Sequence, residues 1–341
     1  MDVIDQYGAD TLRFFLTTNS APGMDLRYIP EKLEASWNFI NKIWNSARFV
    51  LMNIDEDLEY KDLKFDHLNL CDKWILNRLN NVIEEVDANM DKFEFVNVGS
   101  ELYKFIWDDF CSWYIELTKV HLNSDNEVEK QASAHTLVYV LNAIVRMLHP
   151  FMPFVTEEIY QAIPHLEESI CISKYPTVNP DFNDENINKQ FTYLMDIVKG
   201  VREIRANYTI KNAIEVEYSI ETKDENLQAL LDQCVPYLKK LCNATCVGYN
   251  QKASKDIATA MIQGGNTLIV ELGAYVDKEA EKQKLQAELQ KLEGEIKRCT
   301  NMLSNEKFVS KAPQAKVDSE RQKLEDYTSK YNAVKEKLAA M

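Results

Sequence analysis

Residues 31–51, EKLEASWNFINKIWNSARFVL, contain an apolar repeat that indicates the fold. The repeat alternates spacings of four and three residues and consists of Leu33, Trp37, Ile40, Trp44, Ala47 and Leu51. Side chains at these spacings lie on one face of an α-helix. We therefore predict an amphipathic helix over residues 31–52 that buries this face against neighbouring helices.

The same repeat occurs three more times within residues 1–165, and these segments predict further helices. They are centred on 75–86, 106–120 and 137–148. Pro150 and Pro153 end the last of them, because proline lacks a backbone donor and disfavours a helical residue before it. A short helix is predicted at about 154–163. Four long helices and a short one predict an α-helical bundle over residues 1–165.

Residues 166–275 have a different pattern, which predicts a connecting segment and a small α+β domain. Residues 165–190 are polar and contain prolines, as in a connection packed on the surface. Two helices are predicted around 191–204 and 227–241. The predicted strands are an alternating run at Ile214, Val216, Tyr218 and Ile220, followed by runs at 244–249, 257–263 and 267–272. A turn is predicted at Gly264-Gly265-Asn266.

Residues 276–341 carry two heptad seams. The first consists of Leu285, Leu289, Leu292, Ile296, Cys299 and Leu303. The second consists of Val317, Leu324, Tyr327, Tyr331, Val334 and Leu338, with Glu320 in one seam position. Two seams joined by a short connection predict an antiparallel coiled-coil hairpin. The expected fold is therefore mainly α: a helical bundle, a small α+β domain and a coiled-coil arm.

The net charge of −15 argues against a general nucleic-acid binder, which normally carries a basic surface. The charge is unevenly distributed, however. Residues 276–341 contain 14 Lys and Arg against 12 Asp and Glu, so the acidity lies in the rest of the chain. The sequence has neither an apolar run long enough for a membrane span nor a basic leader, and we expect a cytoplasmic protein without membrane contact.

The motifs of common active sites are absent from the sequence. It contains no GxGxxG, GxxxxGK[ST], HExxH or GxSxG, and its five histidines are isolated. Its seven cysteines include no CxxC pair, so we expect buried thiols and no metal site. Asp108 and Asp109 diverge by about 100° on a helix and predict a solvated face or a local salt bridge. For His149 we expect a structural role at a helix end.

A polar surface on the helix at 31–52 is the candidate binding site. Asn38, Asn41, Asn45 and Arg48 lie opposite the predicted apolar face, with Lys42, Ser46 and Phe49 alongside. Amides and arginine can hydrogen-bond base edges, and an exposed phenylalanine can stack on an RNA base. The alternative is a polar solvent face with Phe49 packed against a neighbouring helix. The residues alone favour this alternative.

Several longer motifs resemble one enzyme family. DVIDQYGADTLRFFL (2–16) and the segment 31–51 resemble class I aminoacyl-tRNA synthetases just after the KMSKS loop. FIWDDFCSWYIE (105–116) and LHPFMPFVTEEIY (148–160) resemble the anticodon-binding bundle of the valine, isoleucine and leucine enzymes, apart from Ser112 and Tyr160. LSNEKFVSKAP (303–313) is similar to the C-terminal arm of valyl-tRNA synthetases. VREIRANYTI (201–210) is similar to the segment that links the bundle to the arm in the same enzymes.

The resemblance implies two RNA-binding regions. In the bundle, it places Phe49 against an anticodon base, with Arg48, Asn45, Lys42, Asn41 and Asn38 as neighbouring contacts. In the arm, the implied contacts with the tRNA elbow are Lys284, Lys291, Lys297, Arg298, Lys307, Lys311 and Lys316. Residues 1–30 would form the junction to a catalytic domain that this chain lacks, fastened through Asp10 and Arg13.

The resemblance thus implies the tRNA(Val)-binding portion of a longer enzyme. The parent enzyme would use ATP and Mg²⁺, whereas this chain would bind no cofactor and would be inactive alone. Its expected partners are tRNA(Val) and the catalytic half, and we expect a monomer. Two other interpretations remain open: a free-standing tRNA-binding or chaperone-like module, and a coiled-coil protein adaptor.

Overall fold

The computed structural model describes residues 2–20, 23, 25, 28–224, 226–251, 256–275, 278–304 and 314–340. Most of these residues are helical. The α-helices are α1 (Asp2–Tyr7), α2 (Ala9–Thr18), α3 (Pro30–Leu51), α4 (Leu70–Asp91), α5 (Phe95–Lys104), α6 (Ile115–Leu122), α7 (Glu127–Leu148), α8 (Pro153–Ala162), α9 (Ile187–Asn207), α10 (Asn226–Cys242), α11 (Lys278–Leu303) and α12 (Gln314–Ala340). Phe105–Tyr114 form a π-helical segment between α5 and α6. The predicted helical bundle is confirmed.

A four-stranded mixed sheet follows the bundle. Its strands are β1 (Val216–Glu221), β2 (Ala244–Tyr249), β3 (Ile257–Ile262) and β4 (Asn266–Glu271), in the order β2-β1-β4-β3. The β1 and β2 strands are parallel and are joined through α10, whereas β4 is antiparallel to both β1 and β3. Gly264 and Gly265 have φ angles of 78° and 73°, as the predicted turn between β3 and β4 requires.

The predicted buried face of α3 is wrong in part. Trp37, Trp44 and Leu51 are 42%, 41% and 36% exposed, whereas Phe39 and Val50 are fully buried. Two overlapping apolar stripes run along this helix, and the helical periodicity alone does not determine which of them is buried in the bundle. Aromatic neighbours decide, because the rings of Phe14 and Tyr103 lie 5.4 and 4.9 Å from the ring of Phe39.

The helix α9 packs on the bundle through an aromatic stack. The rings of Trp74 in α4 and Phe191 in α9 are 3.8 Å apart and nearly parallel. The connecting segment before α9 is held by Asn80, whose amide donates to the Asn179 carbonyl at 2.7 Å and accepts from its backbone nitrogen at 3.1 Å. One apolar core therefore continues from the bundle into the α+β region.

A buried carboxyl group links three helical segments of the bundle. Asp72 in α4 is fully buried and accepts a hydrogen bond from the Tyr114 hydroxyl at 2.7 Å. Ser133 in α7 donates to the same carboxyl at 3.1 Å. Nearby, His121 contacts the Tyr237 hydroxyl of α10 at 2.7 Å, so polar contacts also join the bundle to the α+β region.

The N-terminal helices are fastened within the chain itself. The carboxylate of Asp10 accepts from the backbone nitrogen of Val155 at 2.7 Å, at the start of α8. The guanidinium of Arg13 donates to the Pro150 carbonyl at 3.1 Å. The structure thus gives both residues partners within this bundle, and their expected role at a junction to a catalytic domain stays a prediction.

The helices α11 and α12 pack together as the predicted hairpin. Leu292, Cys299 and Val317 are buried in the seam. The Cys299 thiol donates to the Glu320 carboxylate at 3.4 Å, and the Tyr331 hydroxyl donates to Glu293 at 2.9 Å. Because later residues of α12 meet earlier residues of α11, the pair is antiparallel. The connection between them falls mainly on residues 305–313, outside the described residues.

The expectation of buried thiols is confirmed for most cysteines. All seven are free; five are buried, Cys246 is half-buried and Cys171 is exposed.

Among the described residues, no helix combines the length and apolarity needed to cross a bilayer.

A close approach of α2 to α5 depends on Gly99. A Cβ atom added there would lie 2.4 Å from Cγ2 and 2.5 Å from Cβ of Thr18. We expect Gly99→Ala to lower the free energy of unfolding by about 1–3 kcal/mol, measured by urea unfolding with circular dichroism. The matched control is Gly294→Ala in α11, which meets no atom within 4 Å. It should stabilise the arm by up to about 1 kcal/mol through helix propensity. If Gly99→Ala is as stable as wild type, the close packing of α2 on α5 is contradicted.

The pH dependence of stability should report on Asp72. Burial raises its pKa from 3.8 to about 6, against hydrogen bonds from Tyr114 and Ser133 that lower it. The folded state therefore binds this proton more tightly than the unfolded state, and protonation favours folding. As the pH falls from about 7 to about 4, the free energy of unfolding of wild type should therefore rise by up to about 3 kcal/mol relative to that of Asp72→Asn.

Urea unfolding at a series of pH values measures this difference. Tyr114→Phe removes a hydroxyl that stabilises the ionised carboxylate, so it should move the pH dependence to higher pH. If the difference in unfolding free energy between wild type and Asp72→Asn is constant from pH 4 to pH 7, Asp72 does not titrate as described.

Candidate nucleic-acid interface

The outer side of α3 carries the polar residues that the sequence pattern singled out. Asn38, Asn45 and Arg48 are exposed, and Asn41 and Lys42 are partly exposed. Asn38, Asn41, Asn45 and Arg48 follow one another at spacings of three or four residues, with Lys42 beside Asn41, so the set forms one continuous strip. The structure thus brings together the amide and basic groups of the predicted surface.

Phe49 lies at the edge of this strip and is half-buried against the core. The ammonium group of Lys119 in α6 lies 5.5 Å from the centre of its ring. The same ammonium group is 2.6 Å from the carboxylate of Glu116. Phe49 is therefore less exposed than a free stacking platform would be, and a cation covers part of its ring.

Two aromatic residues that sequence reasoning missed extend the strip. The Lys42 ammonium lies 5.2 Å from the centre of the Trp107 ring. Trp107 stacks on Tyr103 with the ring centres 5.5 Å apart and the planes 7° apart. Their spacing of four residues predicts that both lie on one helix face, but it does not predict that this face lies beside α3.

Small buried side chains set the distance between α3 and the π-helical segment. The Ser46 hydroxyl and the Cys111 thiol are 3.0 Å apart and buried. Burial raises the pKa of the Cys111 thiol to about 11, so it stays neutral at this contact. The Ser112 hydroxyl donates to the Trp107 carbonyl five residues earlier, at 2.7 Å. π-Helical segments are rare in proteins, and those that occur are often at functional sites.

The side chains on this outer surface share a chemistry suited to single-stranded nucleic acid. We call this set the α3 face; it consists of Asn38, Asn41, Lys42, Asn45, Arg48, Phe49, Trp107 and Lys119. Amides and a guanidinium can read base edges, and aromatic rings can stack bases. Lysine ammonium groups beside the rings can contact phosphates, as in other single-strand binding surfaces.

The paired aspartates do not form an acid–base pair. Asp109 binds the Arg78 guanidinium at 3.0 Å, whereas Asp108 is exposed. Burial raises the pKa of Asp109, although Arg78 opposes this shift. The prediction of a local salt bridge is confirmed for Asp109.

The described part of the arm exposes several of its predicted basic residues. Lys291, Lys297 and Lys316 are exposed. Arg298 is paired instead, with its guanidinium 2.9 Å from Glu295 and 3.9 Å from Glu320. The side chain of Lys284, and the whole of Lys307 and Lys311, lie outside the described residues.

Two family models match the chain. Residues 72–220 match the anticodon-binding domain of tRNA ligases. Residues 277–341 match the tRNA-binding arm of valyl-tRNA synthetases. The first match covers α4 to β1 and the second covers α11 and α12; α3 precedes both.

Curated relatives are similar along the whole chain. The valine–tRNA ligase of Enterococcus faecalis is 43% identical and covers 100% of this chain, and that of Bacillus cereus is 45% identical and covers 99%. The enzyme of Staphylococcus aureus is 44% identical over 99% of the chain. The chain spans 39% of the length of these relatives. It is therefore homologous to the C-terminal region of bacterial valine–tRNA ligases, which comprises an anticodon-binding domain and a tRNA-binding arm.

Proposed function

We propose that the chain is the tRNA(Val)-binding region of a valine–tRNA ligase. The anticodon loop would lie on the α3 face, and the arm would contact the tRNA elbow. The observation that carries the proposal is the row of exposed or partly exposed amides and Arg48 beside two partly exposed rings, each with a lysine ammonium over it. The homology to anticodon-binding domains supports it independently.

The energies of the two kinds of ring contact support base stacking at Phe49 and Trp107. A lysine over an exposed aromatic ring contributes about 0.5–1 kcal/mol. A base stacked on such a ring contributes about 1–3 kcal/mol. A base can therefore displace Lys119 or Lys42 from its ring. The released ammonium group is then close enough to contact a neighbouring phosphate, so stacking and charge neutralisation reinforce each other.

The charge distribution supports selective binding. The chain as a whole carries a net charge of −15, which repels RNA at long range. Basic side chains nevertheless lie on the α3 face and along the arm, where Lys291, Lys297 and Lys316 are exposed. An RNA must present its loop and its elbow at both places to gain enough contacts, so the acidic remainder favours one RNA shape over others.

The parent reaction belongs to the rest of the enzyme in this proposal. Valine activation with ATP and Mg²⁺, and transfer to tRNA(Val), would take place in the catalytic half, to which this chain is joined. We assign neither ATP nor Mg²⁺ to the chain itself, and we propose that it is monomeric and cytoplasmic. A protein adaptor acting through the arm, or a free-standing tRNA-binding module, would not require the catalytic half.

Phe49 provides the first test. We expect Phe49→Ala to weaken binding of a tRNA(Val) anticodon stem-loop by about 1–3 kcal/mol, because one base–aromatic stack is lost. Fluorescence anisotropy at fixed salt measures the Kd. Phe154→Ala removes a 67% exposed phenylalanine of α8 and is the matched control, with no change expected. An unchanged Kd for Phe49→Ala would remove Phe49 from the interface.

The arm lysines provide the second test. We expect the triple variant Lys291→Gln, Lys297→Gln, Lys316→Gln to bind full-length tRNA(Val) more weakly and to flatten the dependence of log Kd on log salt. Each lost phosphate contact reduces this slope by roughly 0.7–0.9. Binding of the isolated stem-loop should be unaffected. Lys73→Gln, an exposed lysine of α4, is the control.

Two outcomes would contradict the role given to the arm. Equal losses for full tRNA and for the stem-loop would show that the substitutions act on the fold. An unchanged salt slope would show that these lysines do not meet phosphates, and would favour the adaptor interpretation.

A further inference from the structure

Three side chains of different chemistry converge where the connecting segment meets the bundle. They are His149 at the end of α7, Glu157 in α8 and Cys171 in a 3-10 turn, Ile170–Ile172. One nitrogen, one oxygen and one sulfur atom from them all lie within 4.8 Å of one another. The imidazole Nε2 of His149 and the thiol Sγ of Cys171 are 3.3 Å apart.

The hydrogen bonds of His149 fix which ring nitrogen is available. The Thr156 hydroxyl donates its single proton to the Met152 carbonyl at 2.7 Å. Its contact of 2.8 Å with Nδ1 of His149 must then be one in which Nδ1–H donates. This network assigns the tautomer with a bare Nε2, and that nitrogen faces Cys171. A neutral imidazole held through its other nitrogen is the usual form of a metal ligand.

Ser169 holds the carboxylate of Glu157 and the backbone of Cys171. Its hydroxyl donates to Oε2 of Glu157 at 2.9 Å and accepts from the backbone nitrogen of Cys171 at 3.2 Å. Gln161 donates to Oε1 of Glu157 at 2.8 Å. Asp10 adds a second carboxylate nearby, on the backbone nitrogens that begin α8. The imidazole and the carboxylate are therefore each oriented by a neighbour, the backbone of Cys171 is held beside them, and the surrounding carboxylates favour a cation.

From this geometry we propose a Zn²⁺ site formed by His149 Nε2, Cys171 Sγ and a carboxylate oxygen of Glu157. Zinc accepts nitrogen, sulfur and oxygen ligands and prefers tetrahedral geometry. With bonds of about 2.0–2.1 Å to nitrogen and 2.3 Å to sulfur, those two atoms lie about 3.6 Å apart around the ion. The observed 3.3 Å is close to this separation. Cys171 is exposed, so its side chain can make the remaining adjustment.

Binding is a ligand exchange without oxidation or reduction. Cys171 gives up its thiol proton to solvent, and the thiolate, the imidazole and the carboxylate replace three waters of the hydrated ion. A fourth position stays with water. The site would pin the connecting segment to the corner between α7 and α8, and it does not depend on the proposed binding of tRNA.

Cobalt(II) is the probe, because it takes zinc geometry and absorbs light when a thiolate is bound. We expect the full chain, stripped of metal with a chelator, to bind one equivalent of Co²⁺ with a thiolate-to-cobalt charge-transfer band in the near ultraviolet. Zn²⁺ should displace Co²⁺, remove the band and raise the thermal unfolding midpoint. Cys171→Ser should abolish the band, whereas Cys246→Ser, the half-buried control, should retain it.

Glu157→Gln should weaken Co²⁺ binding by at least about 10-fold. Substituting a residue that only hydrogen-bonds to a metal ligand already costs about this much affinity. Glu158→Gln, its exposed neighbour in α8, should bind Co²⁺ as wild type does. His149→Gln should also bind weakly, with circular dichroism showing whether it folds. The proposal is overturned if wild type shows no charge-transfer band, if Cys171→Ser retains the band, or if the two glutamate variants behave alike.

Discussion

The contact between α3 and the π-helical segment determines which side chains the bundle presents to solvent. Ser46 and Cys111 meet at 3.0 Å inside it, and larger side chains at these positions would push the two helices apart. At this spacing Phe39 and Val50 are buried. With Phe39 and Val50 on the buried side of α3, the asparagines and Arg48 lie on its solvent side. This arrangement also brings Lys42 over Trp107. The α3 face is therefore a consequence of core packing.

The rest of the core holds this contact in place. Asp72 joins α4, the π-helical segment and α7 through Tyr114 and Ser133. The Trp74–Phe191 stack attaches α9 to the other side of α4. The segments that carry the α3 face are thus tied to a buried core, and a surface of this kind can be ordered before a ligand arrives. Ordering in advance lowers the entropy lost on binding.

Much of this organisation is predictable from sequence because it depends on local periodicity. The helices of the bundle, the Gly264-Gly265 turn and the antiparallel arm all follow from it. The buried side of α3 does not, since two apolar stripes overlap and only tertiary contacts, such as those of Phe39 with Phe14 and Tyr103, decide between them. The polar strip of the proposed site also follows from the spacing of its residues. Trp107 and Lys119 join it from other segments, through tertiary contacts that no spacing records.

The most direct test of tRNA binding through the α3 face compares two RNAs on the unmodified chain. One is tRNA(Val), and the other is the same tRNA with its anticodon loop replaced by a loop of equal length and unrelated sequence. The phosphate charge and the elbow are unchanged between them. At fixed salt, we expect a clearly higher Kd for the altered tRNA, because the bases that stack on and hydrogen-bond to the α3 face are lost. Equal Kd values would contradict recognition of the anticodon loop by this chain.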